Sequence, residues 1–204
     1  MLTNPMAHEM TGLQSLRAGL AGAALSGPVL SGRCPETEAR NVFFDIETAV
    51  QSGAPNVHGV IAEILEQAVI EPGFLRGLRF AGSRERYTRH LVYAGPGFTV
   101  LALVWLPGQM SPIHAHRSWC ALAVRQGTLV ETCFTRDAAG DAAKPVLRLD
   151  TCRQLHPGMV SHEGGDEEHY HRIANVGVET AVSIHVYGVD YDRLGHGLNR
   201  IWEE

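Results

Sequence analysis

Nowhere in this sequence do lysine and arginine gather into a block. The 17 basic and 22 acidic residues leave a formal charge of −5, so the electrostatic footprint of a nucleic-acid binder is missing. CxxC pairs are missing too. The four cysteines, Cys34, Cys120, Cys133 and Cys152, are scattered and too few for a secreted disulfide scaffold. That leaves reduced thiols in a cytoplasm as the expectation. The start, MLTNPMAHEM, lacks the basic stretch and apolar core of a signal peptide. The apolar run AGLAGAALSGPVL is short and broken by glycine and proline, which argues against a membrane span. No internal repeat or low-complexity linker interrupts the chain. The expectation is a soluble protein of the cytoplasm, whose 204 residues suffice for one globular domain with a sizeable core.

What the sequence holds in plenty is histidine, with eleven residues in two clusters and elsewhere. His114 and His116 form one cluster. His156, His162, His169, His171 and His185 form the other. Up to about residue 80 the pattern reads as a helical and partly flexible prelude. Helix-length patches occur in GLQSLRAGLAGAAL and EARNVFFDIETAV, and Val60, Ile64, Ala68 and Ile61, Leu65 recur at helical spacing before an EPG stop. From there YTRHLVYAG, FTVLALVWLPG, CALAVRQGTLVETCFT, PVLRLDTCRQLHPG, HRIANVG and TAVSIHVYGVDY are short runs rich in Val, Leu, Thr and aromatics. Gly, Pro, Asn or Asp punctuates most of them, the pattern of a mainly β sandwich or barrel.

Alternate residues of a strand share a face. If IHAHRSWCALAV runs extended, His114, His116, Ser118 and Cys120 point one way, with Arg117 and Trp119 opposite. Ser183, His185 and Tyr187 share a face in VSIHVYG, and Tyr87 and Arg89 share one in RYTRHLVY. Polar side chains gathered on single faces cost a few kcal/mol each in a sealed core. A barrel with a binding site inside would want them there.

The histidine pair lies in a longer pattern: Gly108, five residues, His114, one residue, His116, three residues, Cys120, six residues, Gly127. This resembles the first motif of the cupin superfamily, with cysteine in place of its usual glutamate. HRIAN, His171 to Asn175, resembles the second. The likeness narrows to the thiol dioxygenases and especially the cysteine dioxygenase family, whose YTRNLV-like, HRVxN and SxHxY segments are matched by Tyr87–Val92, His171–Asn175 and Ser183–Tyr187. It covers roughly residues 85–192. It implies a cupin-type β-barrel (double-stranded β-helix, jelly roll) at 81–192, after the prelude at 1–80 and before a C-terminal tail at 193–204.

The resemblance also implies roles. His114, His116 and His171 would hold one Fe(2+) per chain, with His169 competing for the third place. Imidazole suits zinc or copper as well as iron, so ligand type alone does not name the metal. Three neutral histidines leave the ion's charge uncompensated, and a thiolate can then bind it with a lowered pKa. Arg89 would grip the substrate carboxylate through its planar fork, and Tyr87 would shape the pocket. Tyr187 would aim its hydroxyl at substrate and oxygen, oriented by His185 and Ser183. Cys120 would be either a small buried thiol or the partner of Tyr187 in a thioether.

Two departures stand out. Ala115 replaces the aspartate common between the histidines, which removes an expected second-layer acceptor. The His116–Gly127 segment resembles the mercaptopropionate dioxygenases in length, so Arg193 and Arg200 become alternatives to Arg89. The expected function is oxidation of L-cysteine to its sulfinate by O2 in a monomer or weak homo-oligomer, with no membrane or nucleic-acid partner. The alternatives are another small thiol such as 3-mercaptopropionate, oxidation beyond sulfinate, or a metal-binding cupin that senses a small ligand without turnover.

Overall fold

A computed structural model of the chain describes residues 37–137, 146–165, 169–195 and 198–202, with side chains from Asn41 onward. The patch GLQSLRAGLAGAAL and Cys34 lie outside the described residues. Two helices come first among the described residues, α1 (Thr37–Gln51) and α2 (Val57–Ile70). In α2 the buried residues Ile61, Ala62, Leu65, Ala68 and Val69 fall at helical spacing, whereas Val60 of the other apolar stripe is 40% exposed. The helix ends where Glu71 turns extended at ψ 128°, as the residue before a proline is driven to do.

Ten strands follow among the described residues: β1 (Thr88–Gly95), β2 (Phe98–Trp105), β3 (His114–His116), β4 (Cys120–Gln126), β5 (Leu129–Arg136), β6 (Leu147–Leu155), β7 (Val160–Glu163), β8 (His169–Ala174), β9 (Ala181–Tyr187) and β10 (Asn199–Ile201). They form two five-stranded sheets, β1-β2-β9-β4-β7 and β10-β3-β8-β5-β6, with every pairing antiparallel. The fold is mainly β, a cupin-type barrel with helices before it.

Side-chain parity explains the layering. Along β2 every residue is buried. Val100 and Ala102 pack with Ala121, Ile184 and the helices on the outer face of the first sheet. Leu101, Leu103 and Trp105 pack inward with Leu122, Val124, Leu129 and Ile173. A strand covered on both faces reads as an unbroken apolar run, and FTVLALVW is one. The second sheet carries only a small outer cluster, Ile113, Ala115 and Tyr170.

IHAHRSWCALAV is not one strand. The chain leaves the second sheet after His116 and joins the first at Cys120, so the histidine pair and the cysteine sit on facing sheets. The crossing is closed by Ser118, whose hydroxyl donates to the Gly188 carbonyl at 2.7 Å. The glycine that ends the motif turns the chain from β4 to β5. Gly127 has φ +72°, and a Cβ there would meet the Ala181 Cα at 2.8 Å, a position that only glycine fills without strain.

Asn175 ties the end of β2 to the connection between β8 and β9. Its Nδ2 donates to the carbonyls of Trp105 and Glu179, both at 2.8 Å, and its Oδ1 accepts from the Gly177 amide. The second motif's asparagine is therefore a brace. Asn175→Ala is expected to lower unfolding free energy by about 2 kcal/mol in urea titrations, because buried carbonyls lose their donor. An unchanged midpoint would refute that role.

Candidate metal centre

His114 and His116 alternate along β3 and so face the barrel interior together. His114 lies directly opposite His171 of β8, which puts both on the same face. All three are buried, at 8%, 2% and 7% exposure. One ring nitrogen of each lies within 4.8 Å of the others, enough to hold one metal ion. His169 shares the parity of His171, but it lies opposite Thr135 and is exposed. His171, not His169, completes the cluster.

Each ring is turned by a contact at its Nδ1. His114 Nδ1–H donates to the Pro112 carbonyl at 3.0 Å. His171 Nδ1–H donates to Glu131 Oε1 at 3.0 Å. His116 Nδ1 lies against Glu163 Oε1. Nε2 of both His116 and His171 is buried without a hydrogen-bond partner. Buried polar atoms are rarely left so, and a divalent ion at the meeting point of the rings accounts for both. The donor set therefore fits a metal. Burial and the charges of His171 and His116 hold His114 well below the usual imidazole range, and burial also lowers His116 despite Glu163. At His171 the Glu131 carboxylate outweighs burial and raises the pKa instead; the neutral ring is the form that ligates.

The acceptor lost at Ala115 is supplied from other strands. Ala115 itself points outward into the cluster with Tyr170. Glu131 of β5 is 1% exposed and also accepts from Arg153 Nη2 at 2.8 Å and Ser161 Oγ at 3.0 Å. Burial alone would raise its pKa, but these bonds, led by His171, pull it down to about 2. Glu163 is likewise lowered, its burial outweighed by His116. A carboxylate thus stays near the motif's missing glutamate, but it lies behind a histidine rather than among the candidate ligands.

On the facing sheet, Cys120, Tyr187 and Glu163 stand side by side, since Cys120 pairs with Tyr187 across β4–β9 and with Glu163 across β4–β7. Trp105 Nε1–H donates to Ser183 Oγ at 2.9 Å, Ser183 Oγ meets His185 Nε2 at 2.9 Å, and His185 Nδ1 meets the Tyr187 hydroxyl at 3.3 Å. Burial drives His185 down to about 3 and Tyr187 well up. The imidazole is therefore neutral and the phenol protonated at neutral pH. Arg89 pairs with inward-facing Leu103. Its guanidinium stands 6.0 Å over the Tyr87 ring, which stacks on Trp105 at 4.3 Å. Arg89 Nε is buried without a partner.

Residues 75–196 match the cysteine dioxygenase type I family. The chain belongs to that family. Membership makes the protein a thiol dioxygenase-like oxidoreductase of the cupin superfamily. Solved structures are similar over part of its length. A Thermus thermophilus protein is 16% identical, over 59% of this chain and 97% of its own, with TM-score 0.43. An uncharacterised Klebsiella pneumoniae protein with a double-stranded β-helix domain is 17% identical, over 61% of this chain and 90% of its own, with TM-score 0.43. A hydroquinone 1,2-dioxygenase in complex with Cd2+ and 4-hydroxybenzonitrile is 16% identical, over 52% and 66%, with TM-score 0.41.

Of the arginines considered for a carboxylate, Arg200 pairs with outward-facing Ala115 and Arg193 is exposed. Only Arg89 of the three is aimed inward. Cys133, read as an ordinary cysteine, lies opposite His171 and lines a cavity of about 330 Å³ together with Cys120, Glu131, Glu163 and His171. Glu131, Glu163, Trp105 and Arg153 are site residues that the motifs do not single out. One signal was there: in LVETC, Glu131 takes the same parity as Leu129, an acid where a core residue belongs. No helix among the described residues is long and apolar enough to cross a membrane.

Proposed function

We propose that this protein is a cytoplasmic, iron(II)-dependent dioxygenase that oxidises L-cysteine to cysteine sulfinate. The observation that carries this reading is the inward-facing Arg89, with a buried, unpaired Nε, in the same interior as three metal-competent histidines and a hydrogen-bonded Tyr187. His114, His116 and His171 would hold one iron per chain. Bound there, iron supplies the one-electron chemistry that lets dioxygen combine with a thiolate. The balance is RS⁻ + O2 → RSO2⁻, with all electrons drawn from sulfur and no further reductant.

The chain's own residues bind and orient. Arg89 receives the carboxylate as a charge-assisted pair. A neutral His185 has one N–H, which fixes a direction for the relay: Trp105 donates to Ser183, Ser183 to His185 Nε2, and His185 Nδ1–H to the Tyr187 oxygen. The Tyr187 O–H is then free to donate to the reacting oxygen. Burial and the charges of Glu163 and Glu131 push the Cys120 thiol well up, so it stays protonated and would not compete with substrate for a metal held by the three histidines. Its position opposite Tyr187 also suits a Cys120–Tyr187 thioether, which intact and peptide mass spectrometry would show as the loss of two hydrogens at those residues.

The test is oxygen uptake by the iron(II)-loaded protein with cysteine, 3-mercaptopropionate and cysteamine, with products identified by mass. Sulfinate in step with oxygen, and cysteine preferred, is the expected outcome. A preference for 3-mercaptopropionate would overturn the substrate, and no oxidation of any small thiol would overturn the reading. Arg89→Ala is expected to raise KM for cysteine about 10–100-fold, the worth of a charged hydrogen bond. It should leave cysteamine, which has no carboxylate, nearly unaffected.

A further inference from the structure

The cavity of about 330 Å³ reaches from Cys120 and His171 to His58 and His162. His58 lies on α2 and His162 on β7, the edge strand of the first sheet farthest from the β1 edge that carries Arg89. The two rings share a hydrogen bond, Nδ1 to Nδ1 at 2.9 Å, and are tilted by 40°. The cavity wall carries three carboxylates, Glu131, Asp150 and Glu163, against one guanidinium, Arg153. That surplus repels an anionic thiol carboxylate and draws in a cation.

We infer that His58 and His162 form an outer loading site for a divalent transition-metal ion, from which the ion passes along the acidic cavity to the three-histidine centre. An ion that takes the place of the shared proton, with metal–nitrogen distances of about 2.1 Å, can reach both Nδ1 atoms with little movement of the rings. Imidazole ligands select a transition metal at this place without naming one. Two protein ligands make a weak site, as a way-station should be. Glu163 joins the two ends: it follows His162 in the chain, its charge acts on His58, and its carboxylate lies against His116. Cation and substrate then approach from opposite edges, the ion past β7 and the anionic thiol towards Arg89.

This inference rests on the three-histidine reading, so its test reads metal rather than turnover. Metal-free protein is mixed with iron(II) under nitrogen, and uptake is followed by competition with a fluorescent chelator. His58→Gln with His162→Gln is expected to slow uptake at least fivefold and leave the final tight occupancy at one per chain. A pair that only pins α2 to β7 would shift the unfolding midpoint and leave the uptake rate alone, which overturns the inference. In a second arm, unaltered protein preloaded with zinc(II) is titrated with cobalt(II) and watched by NMR. Broadening of the His58 and His162 ring protons ahead of all others supports the site, and broadening elsewhere with those two sharp overturns it. If zinc(II) fails to fill the centre, cobalt(II) broadens His114, His116 and His171 as well. Failure of the three-histidine reading is thus seen separately.

Discussion

His171→Ala is expected to cost at least ~1,000-fold in thiol oxidation, while His169→Ala leaves activity within about threefold. Removing a group that merely supports a metal ligand costs about 10–100-fold, and removing the ligand costs more. The two histidines sit two residues apart in one strand, so the contrast tests position rather than composition. His171 faces His114 across the sheet, whereas His169 is exposed opposite Thr135. The loss should not be one of folding, because Glu131 keeps Arg153 and Ser161 when His171 is gone. Metal analysis and circular dichroism separate the cases. Full metal content with normal turnover in His171→Ala would exclude it as a ligand.

That contrast also marks where sequence stops being informative. Parity put His114 and His116 on one face, and Ser183, His185 and Tyr187 on another, because both groups lie within single strands. Parity could not choose between His169 and His171, since both point the same way. Only their partners across the sheet differ. Nor could it show that Arg117–Trp119 carries the chain from one sheet to the other, because RSW has no glycine or proline to announce a break. The helices were legible as periodicity, and β2 as a short apolar run, although its burial on both faces was not. The three-residue β10 and four-residue β7 were not, being too short to show a period. β7 matters most, since it brings Glu163 to His116.

Carboxylates behind the histidines change the electrostatics of the site. Three neutral ligands alone would leave the full charge of the ion exposed, but Glu131 and Glu163 would offset much of it from behind the rings without taking a ligand position. Glutamine and alanine at position 131 separate two contributions. Glu131→Gln keeps an acceptor for His171 Nδ1–H and removes the charge. Glu131→Ala removes both. Metal affinity, measured by competition, is expected to fall about tenfold for glutamine and towards 100-fold for alanine. Equal affinity in all three proteins would exclude a role for Glu131 in setting the ligand. Stability gives an independent reading in the metal-free protein. Glu131 titrates at about 2 when folded, below the ordinary glutamate value of 4.5. Its contribution is therefore present above the unfolded pKa and is lost as pH falls from about 5 towards 2, on the order of 3 kcal/mol in all. Urea unfolding of the unaltered protein should weaken over that window more steeply than that of Glu131→Gln, which has no proton to take up at this position. Parallel slopes would mean that the carboxylate is no better held in the folded chain than in the unfolded one.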